Sequence, residues 1–271
     1  MRITTVVENH AGDGLQGEHG LCFYIEHEGQ VYLSDVGKTG LFVENARKLG
    51  VDLAQVDALV ISHHHFDHGG GLKLFFEVNE KGIVYLRKAP EMDLVIEDPE
   101  LPPYVGLDKA VLAAFADRIR YVDGDSEVLP GLHLITEIPS SYPKPTGDIR
   151  LKMQRRDEVL PDTFEHELVT VLEGERELVV LTGCAHNGVL NMIEAARTAL
   201  PGKPIRAVVG GFHLNAETQP TVFGVGKELL EMDIPEIYTG HCTGELQTDI
   251  LAEVLGERLH RLHTGLVMEF N

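Results

Sequence analysis

The chain contains no run of about eighteen apolar residues, so it offers no segment able to cross a bilayer as a helix. Cysteine is scarce. Cys22, Cys184 and Cys242 are odd in number, far apart and without Cys-x-x-Cys spacing. That argues against a disulfide framework and points to a reducing compartment. Basic residues are also few, 23 Lys plus Arg against 43 Asp plus Glu, for a formal charge of -20. A nucleic acid would meet net repulsion, whereas a small anion stays compatible wherever bound cations reverse the field. The start, Met1 to Glu8, reads as a strand rather than a signal peptide, and a cytoplasmic location is the default expectation. With 43% apolar and 24% charged residues over 271 positions, the composition is that of a globular protein with a sizeable core.

Histidine is what the sequence concentrates. Ser62-His63-His64-His65-Phe66-Asp67-His68 places four histidines and an aspartate in six consecutive positions, followed by Gly69-Gly70-Gly71. The preceding run, Val56 to Ile61, is apolar and reads as a buried strand. The histidines therefore lie at a strand's C-terminal end, where sites are built in α/β sheets. Imidazole and carboxylate are good ligands for zinc, iron or manganese. Residues two apart on an extended segment face the same side, so His63 and His65 can share one metal and Asp67 points the same way. His68 turns towards a second.

A strand, a histidine-bearing loop with glycine and then a helix recur along the chain, around 63–68, His186, His213 and His241. The expected fold is α+β, a four-layer αββα sandwich of two mixed sheets with helices outside and the site at one edge. One domain over 1–271 is expected, in two halves of about 1–125 and 126–271. Between them lie segments read differently. Lys88 to Asp108 carries Pro90, Pro99, Pro102 and Pro103 and reads as an irregular insertion forming a lid or pocket wall. Leu107 to Ile119 shows a helical period. The polar stretch from Pro139 to Glu165 reads as exposed, with Tyr142 and Lys144 on a loop that could face substrate.

His-x-His-x-Asp-His is similar to the signature loop of the metallo-β-lactamase superfamily. Ser34-Asp35-Val36-Gly37 resembles its first motif, which implies that Asp35 braces the histidine loop. Further marks resemble a branch that includes a dihydropterin–aminobenzene ribofuranosyl phosphate synthase. They are Glu18-His19-Gly20, Asp67 to Leu72, Thr182-Gly183-Cys184-Ala185-His186, Gly210 to Leu214 and His241-Cys242-Thr243-Gly244. The resemblance implies one or two divalent metals, zinc first and iron or manganese next, with His241 as the last ligand.

Two departures bear on the ligands. No histidine stands between Pro139 and Tyr142, where the superfamily supplies its third motif. Gly183-Cys184 stands where a bridging aspartate is usual. By elimination His186 completes the metal held by His63 and His65, with Cys184 as the rival. His213 is open between binding metal, binding substrate and donating a proton, and His19 can reach the site from the first loop. Asp67 and His213 are the catalytic candidates. The activity expected is hydrolysis of a small anionic phosphoester, lactone or thioester by metal-activated water. The alternatives are a condensing transferase joining a dihydropterin pyrophosphate to an aminobenzene ribofuranosyl phosphate, and a non-enzymatic metal- or ligand-binding protein. The expected partner is a small molecule, with no nucleic acid or membrane; a homodimer is compatible.

Overall fold

The structure, a computed structural model, describes residues 1–100 and 102–270. The first half supplies strands β1 (Arg2–Val7), β2 (Cys22–His27), β3 (Gln30–Ser34), β4 (Ala58–Val60), β5 (Ile83–Leu86), β6 (Asp93–Ile96) and β7 (Ile119–Tyr121). The second supplies β8 (Ser126–Leu129), β9 (Leu132–Ile135), β10 (Leu151–Arg155), β11 (Glu158–Pro161), β12 (Val169–Glu173), β13 (Leu178–Leu181), β14 (Ile205–Gly211), β15 (Glu236–Gly240), β16 (Leu259–Arg261) and β17 (Val267–Glu269). They form two seven-stranded sheets, ordered β17-β1-β2-β3-β4-β5-β7 and β16-β15-β14-β13-β12-β9-β8, and a three-stranded sheet β11-β10-β6. The last strand of the chain thus crosses back to edge the first sheet.

The layering follows from alternation along single strands. In β13, Val179 and Leu181 join a core that also holds Phe23, Ile25 and Val60 of the other sheet. Leu178 and Val180 face a second core, against helices α5 (Val189–Ala199), α6 (Gln219–Glu231) and α7 (Glu245–Leu255). Side chains alternate between faces, and a strand covered on both is apolar throughout. In the first sheet Ala58 and Val60 point inward, while Leu59 packs against the side that carries α1 (Leu41–Leu49), α2 (Phe66–Gly69) and α3 (Leu72–Val78). The result is the expected α+β sandwich, helices–sheet–sheet–helices. No helix among the described residues is long and apolar enough to cross a membrane.

Two expectations need correction. Leu107–Ile119 is not one helix: α4 covers Lys109–Ala114, a 3-10 turn follows at Ala116–Arg118, and Ile119 opens β7. Asp108 starts α4 by accepting from the N–H groups of Ala110 and Val111. Ile119 is claimed by parallel pairing with Val84, and that tertiary pairing overrides the local period. Nor is the stretch to Glu165 simply exposed. Leu151 and Met153 of β10 are buried with Leu94, Val105 and Phe164 in a small core of their own. The proline-rich insertion supplies β6, so residues 93–96 and 151–161 form one flap beside the site.

Candidate metal centre

β3, β4 and β5 run parallel, as do β13, β14 and β15, and the site gathers where these strands end. β3 ends at Asp35, β4 at the histidine loop, β13 at Cys184 and His186, β14 at His213 and β15 at His241. Asp35, Ala185, His213 and His241 all carry positive φ, at 58°, 59°, 48° and 52°. Such conformations are sparsely populated for residues with a Cβ and mark places where the fold imposes the backbone. Gly183 has a steric reason: a Cβ there would meet Ser62 Oγ at 2.1 Å.

Among the described residues five groups of ligand-type atoms lie within 4.8 Å mutually, and the two that between them take up His63, His65, Asp67 and His68 without sharing a residue are His63, His65 and His186, and Asp67, His68, Cys184 and His241. In the first group the rings sit 4.6 to 4.9 Å apart, centroid to centroid. In the second, Cys184 Sγ lies 3.1 Å from His68 Nε2 and 3.4 Å from His241 Nε2. Asp67 Oδ2 is 3.4 Å from His241 Nε2 and 3.7 Å from His68 Nε2. His64, the middle residue of the run, turns away and donates from Nε2 to the Arg87 carbonyl at 2.6 Å.

What aims these rings is a shell of acceptors. His63 Nδ1–H donates to Ser62 Oγ (2.9 Å), whose hydroxyl donates to Asp35 Oδ2 (2.8 Å). His68 Nδ1–H donates to the same Asp35 oxygen at 2.7 Å. His186 Nδ1–H donates to Asp148 Oδ1 (2.7 Å), and His241 Nδ1–H to Asn9 Oδ1 (3.0 Å). In these four rings Nδ1 is engaged and Nε2 faces the centre, the arrangement that fixes tautomer and orientation around metal-binding imidazoles. The backbone is held too. Glu8, fully buried, accepts from the N–H of His241, and Glu167 from the N–H groups of His186 and Asn187.

The electrostatics differ between groups. Burial, reinforced by neighbouring imidazoles, pushes His63 and His186 well below the ordinary histidine range, and His65 down to about 3. These rings are neutral and able to ligate. Burial opposes charge on His68 as well, but Asp35 and Asp67 outweigh it and raise His68 to about 9. Burial would raise Asp67, yet the His68 charge and the His241 hydrogen bond hold it well below the usual carboxylate range.

The residues fit a metal ion on an observation independent of any motif. His63, His65 and His186 each bury an Nε2 with no hydrogen-bond partner. Three converging orphaned acceptors in one pocket carry a desolvation penalty unless a cation takes them.

A cavity of about 380 Å³ opens over both groups, lined by His19, Phe66, Asp67, Cys184, His186 and His213 among others. His19 Nε2 stands 3.4 Å from Asp67 Oδ2. His213 Nε2 is 3.1 Å from Asp148 Oδ1, and the His213 N–H donates to Cys242 Sγ. Tyr142 and Lys144 are elsewhere: they border a separate cavity against α5 and α6. Their placement is fixed by the Tyr142 N–H donating to Asn191 and the Lys144 ammonium to Asn187. Three side chains at the site escape sequence reading. Asp148 holds both His186 and His213, while Asp162 accepts from His166 Nε2–H and lies 3.9 Å from His65. They flank the flap strands β10 and β11 in sequence, where nothing in the spacing announces them.

The fold and these strand-end ligands define a class. The sequence profile of the metallo-beta-lactamase superfamily matches residues 15–191, and the chain belongs to that superfamily. It is similar to the 7,8-dihydropterin-6-methyl-4-(beta-D-ribofuranosyl)-aminobenzene-5'-phosphate synthase of Methanocaldococcus jannaschii, 27% identical across all of this chain and 97% of that one. Among solved structures it resembles Tm1679, described as a metal-dependent hydrolase of the beta-lactamase superfamily. That likeness has a TM-score of 0.84, 29% identity, and coverage of 100% and 99% of the two chains. PqqB from Methylobacterium extorquens shares the fold at TM-score 0.60 and 12% identity, over all of both chains.

Proposed function

We propose that this protein is a metal-dependent enzyme that hydrolyses an ester-type bond in a small anionic substrate. The reading is carried by the three buried, partnerless Nε2 atoms of His63, His65 and His186. Those three residues would hold one ion, and Asp67, His68, Cys184 and His241 a second. Bound there, divalent metal supplies Lewis acidity and brings the pKa of a coordinated water towards neutrality. Zinc suits the imidazole, thiolate and carboxylate donors best, with iron or manganese as alternatives.

The chain's own residues do the rest. Asp67, on the cavity wall, orients the attacking water. His213, held by Asp148 and facing the same cavity, delivers a proton to the leaving group. The flap residues Ile96 and Leu151 close the wall and limit bulk water. The metal-loaded protein, tested against phosphoesters, lactones and thioesters, should turn over at least one class and lose that turnover on chelation. Absence of bound metal after incubation with zinc, iron and manganese would contradict the reading.

A second reading has a specific support, the likeness to a synthase over the whole chain. In that case divalent metal held by the same ligands would supply the positive charge that offsets a leaving pyrophosphate during condensation with an aromatic acceptor. A dihydropterin pyrophosphate plus an aminobenzene ribofuranosyl phosphate, run beside the hydrolytic panel, separates the two.

A further inference from the structure

Despite a net charge of -20, the wall of the site cavity carries two cations, Lys38 and Arg150. The carboxylate that lines it among the described residues is Asp67, already engaged with His68 and His241. Some lysines elsewhere find acids, Lys81 with Asp57 and Lys203 with Glu173, each at 2.7 Å, while Lys144 binds an amide and Lys227 lies over Phe223. Lys38 forms no such pair among the described residues. Its ammonium lies over the Phe66 ring, 5.4 Å from the centroid.

The backbone beneath that ammonium is fixed. The Lys38 N–H donates to Glu18 Oε1 at 3.0 Å, and Thr39 binds the same carboxylate through its N–H and its hydroxyl. Gly70 approaches so closely that a Cβ there would meet the Lys38 carbonyl oxygen at 2.1 Å. A cation is thus presented from a rigid part of the wall, over an aromatic face and without an ion pair among the described residues. Arg150 gives one nitrogen to Asp98 at 2.6 Å and keeps other donors of its fork. Phe66, Ile96, Val105 and Leu151 supply apolar surface in the same cavity.

We propose that Lys38 and Arg150 form an anion subsite, separate from the metal-ligand groups, that seats a doubly charged group such as a phosphate monoester. The flat apolar ring bearing that group packs against Phe66 and Leu151. Two cations match two charges, and a guanidinium suits phosphate oxygens geometrically. This deepens the proposed function by naming a substrate class, an aryl phosphate or a larger molecule carrying one, and rests on that reading for the bond that is broken. The subsite itself requires no metal.

The test is calorimetric titration of the full chain with phenyl phosphate, inorganic phosphate and phenol, in metal-free and zinc-loaded forms, with circular dichroism and metal content on each variant. Phenyl phosphate should bind the metal-free protein more tightly than either fragment, and more weakly as salt screens the charges. Lys38→Ala should weaken it roughly tenfold or more, the loss expected for one charge-assisted hydrogen bond. Lys38→Arg should stay within about threefold and Lys38→Glu should abolish binding. Unchanged affinity in folded Lys38→Ala and Lys38→Glu, or phenol binding as well as phenyl phosphate, would overturn the subsite. So would an affinity loss seen only in zinc-loaded protein and accompanied by lost zinc. If the chain takes up no metal, the hydrolytic reading fails while the metal-free titration still decides the subsite.

Discussion

The two ligand groups lie side by side and share a brace in Asp35, yet they are built on different chemistry. The first is three neutral imidazoles, each with its inward nitrogen unpaired. The second mixes a carboxylate, a thiol and two imidazoles that contact one another, with Cys184 between His68 and His241. A cluster that satisfies itself through mutual polar contacts needs a cation less than one whose acceptors are orphaned. The difference teaches that occupancy of the first group should affect the fold most, whereas the second should control charge and chemistry. Its carboxylate and, once metal-bound, its thiolate offset two positive charges; the imidazole group offsets none.

The sharpest way to break this comparison is Asp67→Asn, which removes charge from the second group and leaves the first intact. Turnover should fall by about 10²-fold, the scale of a lost positioning group, with an unchanged circular dichroism spectrum. Normal turnover would remove Asp67 from the chemistry. Asp35→Ala strikes both groups, because Asp35 accepts from Ser62 and from His68. Removing one partner of a buried pair should destabilise the fold by about 3–5 kcal/mol in denaturant titration. A smaller loss in one group alone is expected from Asp148→Asn, which alters the carboxyl group that accepts from His186 Nδ1–H. Zinc affinity of the first group should drop about 10–100-fold while that of the second is unchanged. Equal weakening of both would show that the groups act as one unit. Tyr142→Phe is the control, since Tyr142 borders the other cavity; stability should stay within about 0.5 kcal/mol and KM should not change.

How much of this could be read beforehand depended on where the ligands sit in the chain. The 63–68 loop was legible because its ligands are neighbours in sequence, framed by an apolar strand and glycines. His186, His213 and His241 were legible because each follows a strand, and strand ends are brought together by parallel pairing. Asp148, Asp162 and His166 were not: they lie in a polar stretch without periodicity. Their role comes from the fold of β10 and β11 over the site. Tyr142 and Lys144 border a different cavity because their loop is tied by Asn187 and Asn191 to the start of α5. The helical period of 107–119 misled because apolar spacing alone cannot show that Ile119 is needed by a strand.

The account stands or falls on His186 belonging to the first group and Cys184 to the second. Anomalous diffraction at the zinc edge from crystals of the zinc-loaded protein addresses that assignment directly. The account predicts one ion with the Nε2 atoms of His63, His65 and His186 at about 2.0–2.1 Å, and a neighbouring ion bound by Cys184 Sγ at about 2.3 Å. An ion held by His63, His65 and Cys184, with His186 Nε2 bonded to no metal, would contradict it.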